Sequence, residues 1–214
     1  MKLYFTKTPK ILQYIYKKYT WRFSIHRKVI YLTFDDGPIP EITPWVLQQL
    51  KKHEAKATFF CIGKNIVNHP EVYDQVVKDN HAIGNHTHNH VNGFKTSAKH
   101  YIENALLAEK AIVHPIANPK NSKLFRPPYG KIKRSQANKL QSLGYQIIMW
   151  DVLSADFDTS ISKEQCLQNV VKHTQNGSII VFHDSIKASE KLTYVLPKVL
   201  EHFTKKGYEF KAIC

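Results

Sequence analysis

The chain has 214 residues, 43% hydrophobic and 22% charged, which are ordinary values for one globular domain with a full-sized core. Its formal net charge is +14, and its three cysteines (Cys61, Cys166 and Cys214) lie far apart with no C-x-x-C pair. A disulfide scaffold and a zinc ribbon are thereby excluded, and no apolar run is long enough to span a bilayer.

The positive charge is concentrated at the start. Residues 1–34 hold eight Lys or Arg and no acid, and residues 1–28 also hold seven aromatics. There Ile11, Ile15 and Tyr19 recur at helical spacing, with Leu12 and Tyr16 beside them. This predicts a short amphipathic helix that packs on the core or, alternatively, presents a basic aromatic face to an anionic surface. Residues 1–28 are read as a basic aromatic extension and residues 29–214 as the main domain. No uninterrupted signal-type apolar stretch is readable, so the expected location is cytoplasmic or peripheral at a membrane.

From Val29 onward strands and helices alternate. Strand-like runs are 29–34, 57–62, 81–84, 123–126, 146–150, 178–183 and 208–213. Helical patterns lie near 44–53, 70–79, 97–113, 134–143, 163–176 and 190–206. Thr43-Pro44 reads as an N-cap followed by proline at the first helical position, and Ser162 with Gln165 as a capping box. Gly144, Gly177 and Gly207 each follow a helical run, where a left-handed residue is wanted. His114 to Lys123 is a polar loop. The alternation predicts an α/β fold, a parallel sheet of about seven strands rolled into a closed or nearly closed barrel.

Chemistry gathers at the strand ends. Val29–Leu32 leads into Thr33-Phe34-Asp35-Asp36-Gly37-Pro38, a turn on which one carboxylate can bind a metal while its neighbour faces a water. The third strand runs into Gly84-Asn85-His86-Thr87-His88-Asn89-His90. On a helical turn His86 and His90 share a face and chelate one cation, with Asp36 as third ligand and an open position for water. Were the segment extended, all three histidines would line one face and His88 could displace Asp36. The fourth strand ends in Phe125-Arg126-Pro127-Pro128-Tyr129-Gly130 and the fifth in Trp150-Asp151-Val152-Leu153-Ser154-Ala155-Asp156-Phe157. The sixth runs into His183-Asp184, placing His183 at the mouth of an apolar strand as a general acid. All these groups fall at the same end of their strands, where barrel active sites are built.

In this order the motifs resemble the NodB-type polysaccharide deacetylases, carbohydrate esterase family four, from about Val29 to Ile213. The resemblance implies a distorted (β/α) barrel holding one divalent metal, zinc first and cobalt, nickel or manganese as alternatives. It implies removal of acetyl groups from N-acetylglucosamine units of a polysaccharide or peptidoglycan-type glycan. By motif position Asp35 is then the base, Asp36, His86 and His90 the ligands, and His183 the acid. Arg126 and Asp156 orient them, the Tyr129 N–H helps bind the oxyanion, and Pro127 and Phe157 meet the substrate. The fourth motif departs from the family pattern, with Leu153 in place of its first aspartate and Phe157 in place of tryptophan; in the fifth, Val181 replaces leucine.

Other readings are a deacylase of a lipid-linked amino sugar or another amide, and a catalytically weak sugar-binding module. An intact acid and base argue against the module. Nucleic-acid binding ranks last, because the charge surplus sits mainly in residues 1–28 and no matching motif is present. A monomer is expected.

Overall fold

The computed structural model describes residues 4–112 and 123–213. Its centre is β1 (Val29–Asp35), flanked by β2 (Ala57–Cys61) and β7 (Ile179–His183). Beyond β2 come β3 (Ala82–Asn85), β4 (Lys123–Phe125) and β5 (Tyr145–Ile147); beyond β7 comes β6 (Val152–Leu153). All neighbours pair in parallel, and β8 (Glu209–Phe210) adds to the start of β1. The result is a seven-stranded half-barrel, the distorted (β/α) barrel expected.

Parallel strands need crossovers, and helices on the outer face supply them. These include α2 (Ile42–Lys52), α4 (Pro70–Lys78), α5 (Ala98–Ala111), α6 (Arg134–Ser142), α7 (Lys163–His173) and α8 (Ser189–Lys205). The two-residue period of β1 divides its side chains between two environments. Ile30, Leu32 and Phe34 join the outer core with Ile180 and Phe182 of β7, and Phe34 stacks 5.0 Å from Phe59 and 6.0 Å from Phe182. Emptying that position would cost about 3–5 kcal/mol. The alternate residues Tyr31, Thr33 and Asp35 face the interior, and the β1–β7 register sets Asp35 beside His183. Strand pairing alone thus brings these two groups together.

Several local expectations need correction. Helix α2 begins at Ile42, so Thr43 is inside the helix, where its hydroxyl accepts from the Ile39 N–H and donates to Asp184 instead of capping. Gly144 and Gly207 do follow their helices directly in left-handed geometry; Gly177 shares the geometry but stands four residues past the end of α7. Short α3 (Gly63–Asn68) and β6 carry no readable periodicity, being a six-residue helix and a two-residue pairing. The predicted strand 146–150 splits: Ile148 N–H still bonds to β4 at Phe125, but Asp151 N–H bonds to β7 at Ile179. Among the described residues no ladder joins β5 to β6, so the barrel is open there. The loop expected at His114–Lys123 lies outside the described residues, apart from Lys123 in β4.

The N-terminal segment lies across that opening. Thr8 N–H donates to Asp151 O, Leu153 N–H to Thr6 O, Thr20 N–H to Ile147 O and Phe23 N–H to Gly177 O, all at 2.8–2.9 Å. Helix α1 (Lys10–Ile15) buries none of its residues, and Ile11 and Ile15 are 67% and 59% exposed. Of the stripe, Ile11 and Ile15 point outward while Tyr19 packs against the core, and backbone rungs hold the segment in its place.

Candidate active site

Asp35 ends β1 on the interior face, almost fully buried beside Arg126. Arg126 Nη1 donates to Asp35 Oδ1 at 2.7 Å and to Thr33 Oγ1 at 2.6 Å. Its Nε and Nη2 donate to the Ile148 and Met149 carbonyls, and the guanidinium stacks 4.1 Å above the Phe60 ring. Burial lowers its pKa and the Asp35 carboxylate opposes that, which is how a guanidinium with no exposure remains a workable partner. Asp35 is thus oriented from one side, with every contact rigid.

Asp36 turns the opposite way because its backbone is left-handed, with φ 83°. Non-glycine residues adopt this conformation only when their surroundings hold them there. The Asn65 amide donates to Asp36 O at 2.7 Å, and Asp184 Oδ1 accepts from the Gly37 N–H at 3.0 Å. A Cβ on Gly37 would lie 2.0 Å from Asp184 Oδ2, so only glycine fits. Asp184 is fully buried; burial pushes its pKa up to about 8, against the Thr43 hydroxyl and aided by the charge on Asp36.

His86 and His90 converge on this carboxylate. Their Nε2 atoms lie 3.7 and 3.2 Å from Asp36 Oδ1, and one ligand atom from each residue falls within a 4.8 Å cluster. The segment is not the helical turn expected: Thr87 and His90 have φ of 63° and 52°, and a left-handed loop brings the rings together. His88 is carried away, with Nδ1 near Gly63 and its N–H bonded to Asn104. His86 Nδ1–H donates to Arg126 O at 2.8 Å, leaving Nε2 as the free lone pair. Burial pushes its pKa down to about 4, so the ring is neutral near pH 7.

These residues fit a divalent cation. Asp36 Oδ1 is shielded from solvent and accepts no hydrogen bond of good geometry, although two ring nitrogens face it. Burial acts to raise Asp36's pKa, yet the His90 contact and then the His183, His86 and His90 charges hold it below the usual carboxylate range. Two imidazoles and a carboxylate make an N₂O donor set with room for further ligands.

His183 closes the far side. Its Nδ1–H donates to Asp156 Oδ1 at 2.7 Å, while its backbone N–H donates to Asp156 Oδ2 at 2.8 Å. Burial alone would lower its pKa, but the charge and hydrogen bond of Asp156, then Asp36 and Asp35, push it up to about 9. Phe157 packs edge-on against the His183 ring at 5.1 Å. Tyr129 sits at the tip of a 3-10 turn (Pro128–Gly130) in left-handed geometry, 61% exposed and 4.5 Å from the His90 ring. Pro127, expected against substrate, is buried and shapes this turn. Sequence reasoning missed Asp184, Thr43 and Asn65, which fix the Asp36 turn; only the adjacency of Asp184 to His183 offered a signal.

A half-barrel with a His-His-Asp cluster and a carboxylate and a histidine on adjacent strand ends defines a metal-dependent hydrolase. The chain belongs to the polysaccharide deacetylase family, whose sequence model matches residues 24–148. It is 35% identical over 195 residues to a peptidoglycan-N-acetylglucosamine deacetylase of Bacillus cereus, covering 91% of this chain and 90% of the relative. A chitooligosaccharide deacetylase of Azorhizobium caulinodans is 32% identical over 79% of this chain and 80% of its own. Among solved structures, a peptidoglycan N-acetylglucosamine deacetylase in complex with a naphthalenyl N-oxidanyl-benzamide superposes with TM-score 0.84 at 28% identity, covering 96% and 95% of the two chains.

Proposed function

We propose that this protein hydrolyses the acetamide of N-acetylglucosamine units in a peptidoglycan-type glycan, with zinc held by Asp36, His86 and His90. Cobalt, nickel and manganese suit the same donors. The observation that carries the reading is the pairing of Asp35 and His183 on adjacent strand ends, with Asp36 of the histidine-aspartate cluster next to Asp35 in the chain. When bound there, a divalent cation supplies Lewis-acid polarisation and acidifies water.

The chain's own residues account for the proton movements. Asp35, held by Arg126, which is itself bonded to Thr33, takes the proton of the attacking water as the new C–O bond forms. The Tyr129 N–H donates to the developing oxyanion. His183, kept protonated by Asp156, donates its Nε2 proton to the nitrogen as the C–N bond breaks. Acetate and a free amine leave. Incubation with acetylated oligosaccharides and with peptidoglycan, following acetate by mass and metal by elemental analysis, tests the proposal. Acetate release that tracks bound metal is expected; a metal-loaded, folded protein that frees no acetate from either overturns it.

The outward face of residues 5–18 supports a second, separate contact with an anionic lipid surface. Phe5, Ile11, Tyr14 and Ile15 are exposed among Lys10, Lys17 and Lys18. Sedimentation with vesicles should show binding to anionic but not neutral lipid, weakening as salt rises. Equal sedimentation with both at low salt removes this contact.

A further inference from the structure

A groove of about 270 Å³ opens beside the catalytic centre, and its outer wall is made by the N-terminal segment. Tyr4, Tyr16, Tyr19 and Trp21 face Tyr129 and Trp150 across it. Tyr129 belongs to both spaces, because its ring also lies 4.5 Å from His90. At the other end Tyr4 packs edge-on against Phe157 at 5.6 Å, and Phe157 packs on His183. The groove therefore adjoins the ligand side and the acid side of the same site.

We propose that this groove is a second sugar-binding subsite, taking a neighbouring pyranose ring of the glycan whose N-acetyl group lies at the catalytic centre. The proposal rests on the deacetylase reading above and concerns a wall outside the five motifs. Three observations select this occupant. Among the described residues no charged side chain lines the groove, despite a strongly basic chain, so the guest is uncharged there. Aromatic side chains outnumber aliphatic ones along the walls, and tyrosine offers an apolar face with a polar tip, matching a sugar ring's C–H face and hydroxyl edge. A bed for an acyl or isoprenoid chain would be chiefly aliphatic. The volume suits a single ring, falling just below the range of about 300–1,000 Å³ common for larger ligands.

The wall is preformed. Lys7 Nζ pairs with buried Asp151 at 2.7 Å, and Thr8 Oγ1 donates to Trp150 O at 2.8 Å. Tyr16 and Tyr19 stack at 5.7 Å with an interplanar angle of 11°, and Trp21 Nε1–H donates to Tyr16 O at 3.1 Å. Rings held this way lose little freedom when a ligand arrives, which favours binding. The departure at the fourth motif also gains a role, since Leu153 lines the groove and its N–H is the rung that fastens Thr6.

Calorimetry on metal-loaded, full-length protein carrying Asp35→Asn measures binding without turnover. The probes are the monomer and the pentamer of N-acetylglucosamine. Tyr16→Ala or Tyr19→Ala should weaken pentamer binding about tenfold, the scale of one lost aromatic face, and leave the monomer nearly unchanged. In the otherwise unaltered enzyme, the same changes should raise KM for the pentamer with kcat retained, and leave hydrolysis of a small aryl acetate untouched. Tyr16 is half exposed, so its variants stay folded and carry the test if Tyr19→Ala does not. Tyr16→Leu keeps apolar area without a ring face and should behave like Tyr16→Ala. Unchanged pentamer affinity in the alanine variants overturns the subsite. So does recovery of binding in Tyr16→Leu, or displacement of the pentamer by a dodecyl-chain amphiphile, which would mark a bed for an apolar chain. Failure of the unaltered enzyme to release acetate from the pentamer would instead strike the deacetylase reading, because the binding arm reports on the groove by itself.

Discussion

The strand-end centre and the N-terminal wall are neighbours built on opposite principles. At the centre the reacting pair is fixed by fully buried partners: Arg126 makes four hydrogen bonds, one of them to Asp35, and Asp156 grips both His183 nitrogens that face it. The wall is held mainly through its backbone, and its Phe5, Tyr14 and Tyr16 rings stay exposed. A proton-transfer site needs fixed distances and shifted pKa values, which only a strand framework and full burial supply. A sugar-binding face needs flat, available rings, which a segment tied by a few rungs supplies at little structural cost. The difference implies that changes at the centre should abolish chemistry, while changes at the wall should alter only what is bound.

Substitutions at the centre break that comparison most severely. Asp35→Asn and His183→Ala should each lower kcat by about 10²–10⁴-fold with metal and fold retained, measured as acetate release and metal content. His86→Ala and His90→Ala should lose the metal itself, whereas His88→Ala, whose ring turns away, should keep one equivalent and most turnover. A metal-free but folded His88→Ala protein would show that the ligand geometry is wrong.

Asp184 tests whether the support of the centre matters as much as its reacting groups. Asp184→Ala frees both the Gly37 N–H and the Thr43 hydroxyl, so the Asp36 turn loosens. Metal affinity should fall about 10–100-fold, measured by competition with a chelator. Wild-type affinity would mean that the turn holds itself.

The pH profile sharpens the role of Asp156. In the proposed mechanism His183 acts protonated, and its folded pKa is raised from 6.5 to about 9 chiefly by Asp156, so activity should be present below that value and fall as pH rises through it. A bound cation opposes the shift and brings the alkaline limb of the loaded enzyme below 9. Asp156→Asn removes the supporting charge and should move this limb further toward acid. An unmoved limb would assign it to another group.

The smallest expected effect lies at the wall. Lys7→Ala leaves buried Asp151 with the Ser178 hydroxyl and a weaker Gln13 contact, so stability should drop by about 1–3 kcal/mol, read as a lower Tm. The kcat for a small aryl acetate should not change. A parallel fall in kcat would show that wall and centre are one cooperative unit.

Much of this was legible in the sequence, because period-two strands and left-handed glycines are local signals. The run Val29 to Asp35 is apolar enough to be a strand buried on both faces, and the polar groups follow their strands at one end because a parallel sheet aligns those ends. The pairing of His86 with His90 was readable as spacing, but the helical turn invoked for it was not what the chain forms: Thr87 and His90 enter left-handed geometry that nothing in their residue types announces. The tertiary structure alone decided three matters. Asp184 clamps Gly37 across 147 residues of sequence, a contact with no local trace. The stripe of Ile11 and Ile15 faces outward, since an amphipathic pattern says that one face is apolar but not what it will meet. The open seam between β5 and β6, and the aromatic wall laid across it, follow from how many strands the curved sheet pairs before its edges part. That quantity is set by packing over the whole sheet and is written in no single stretch of the chain.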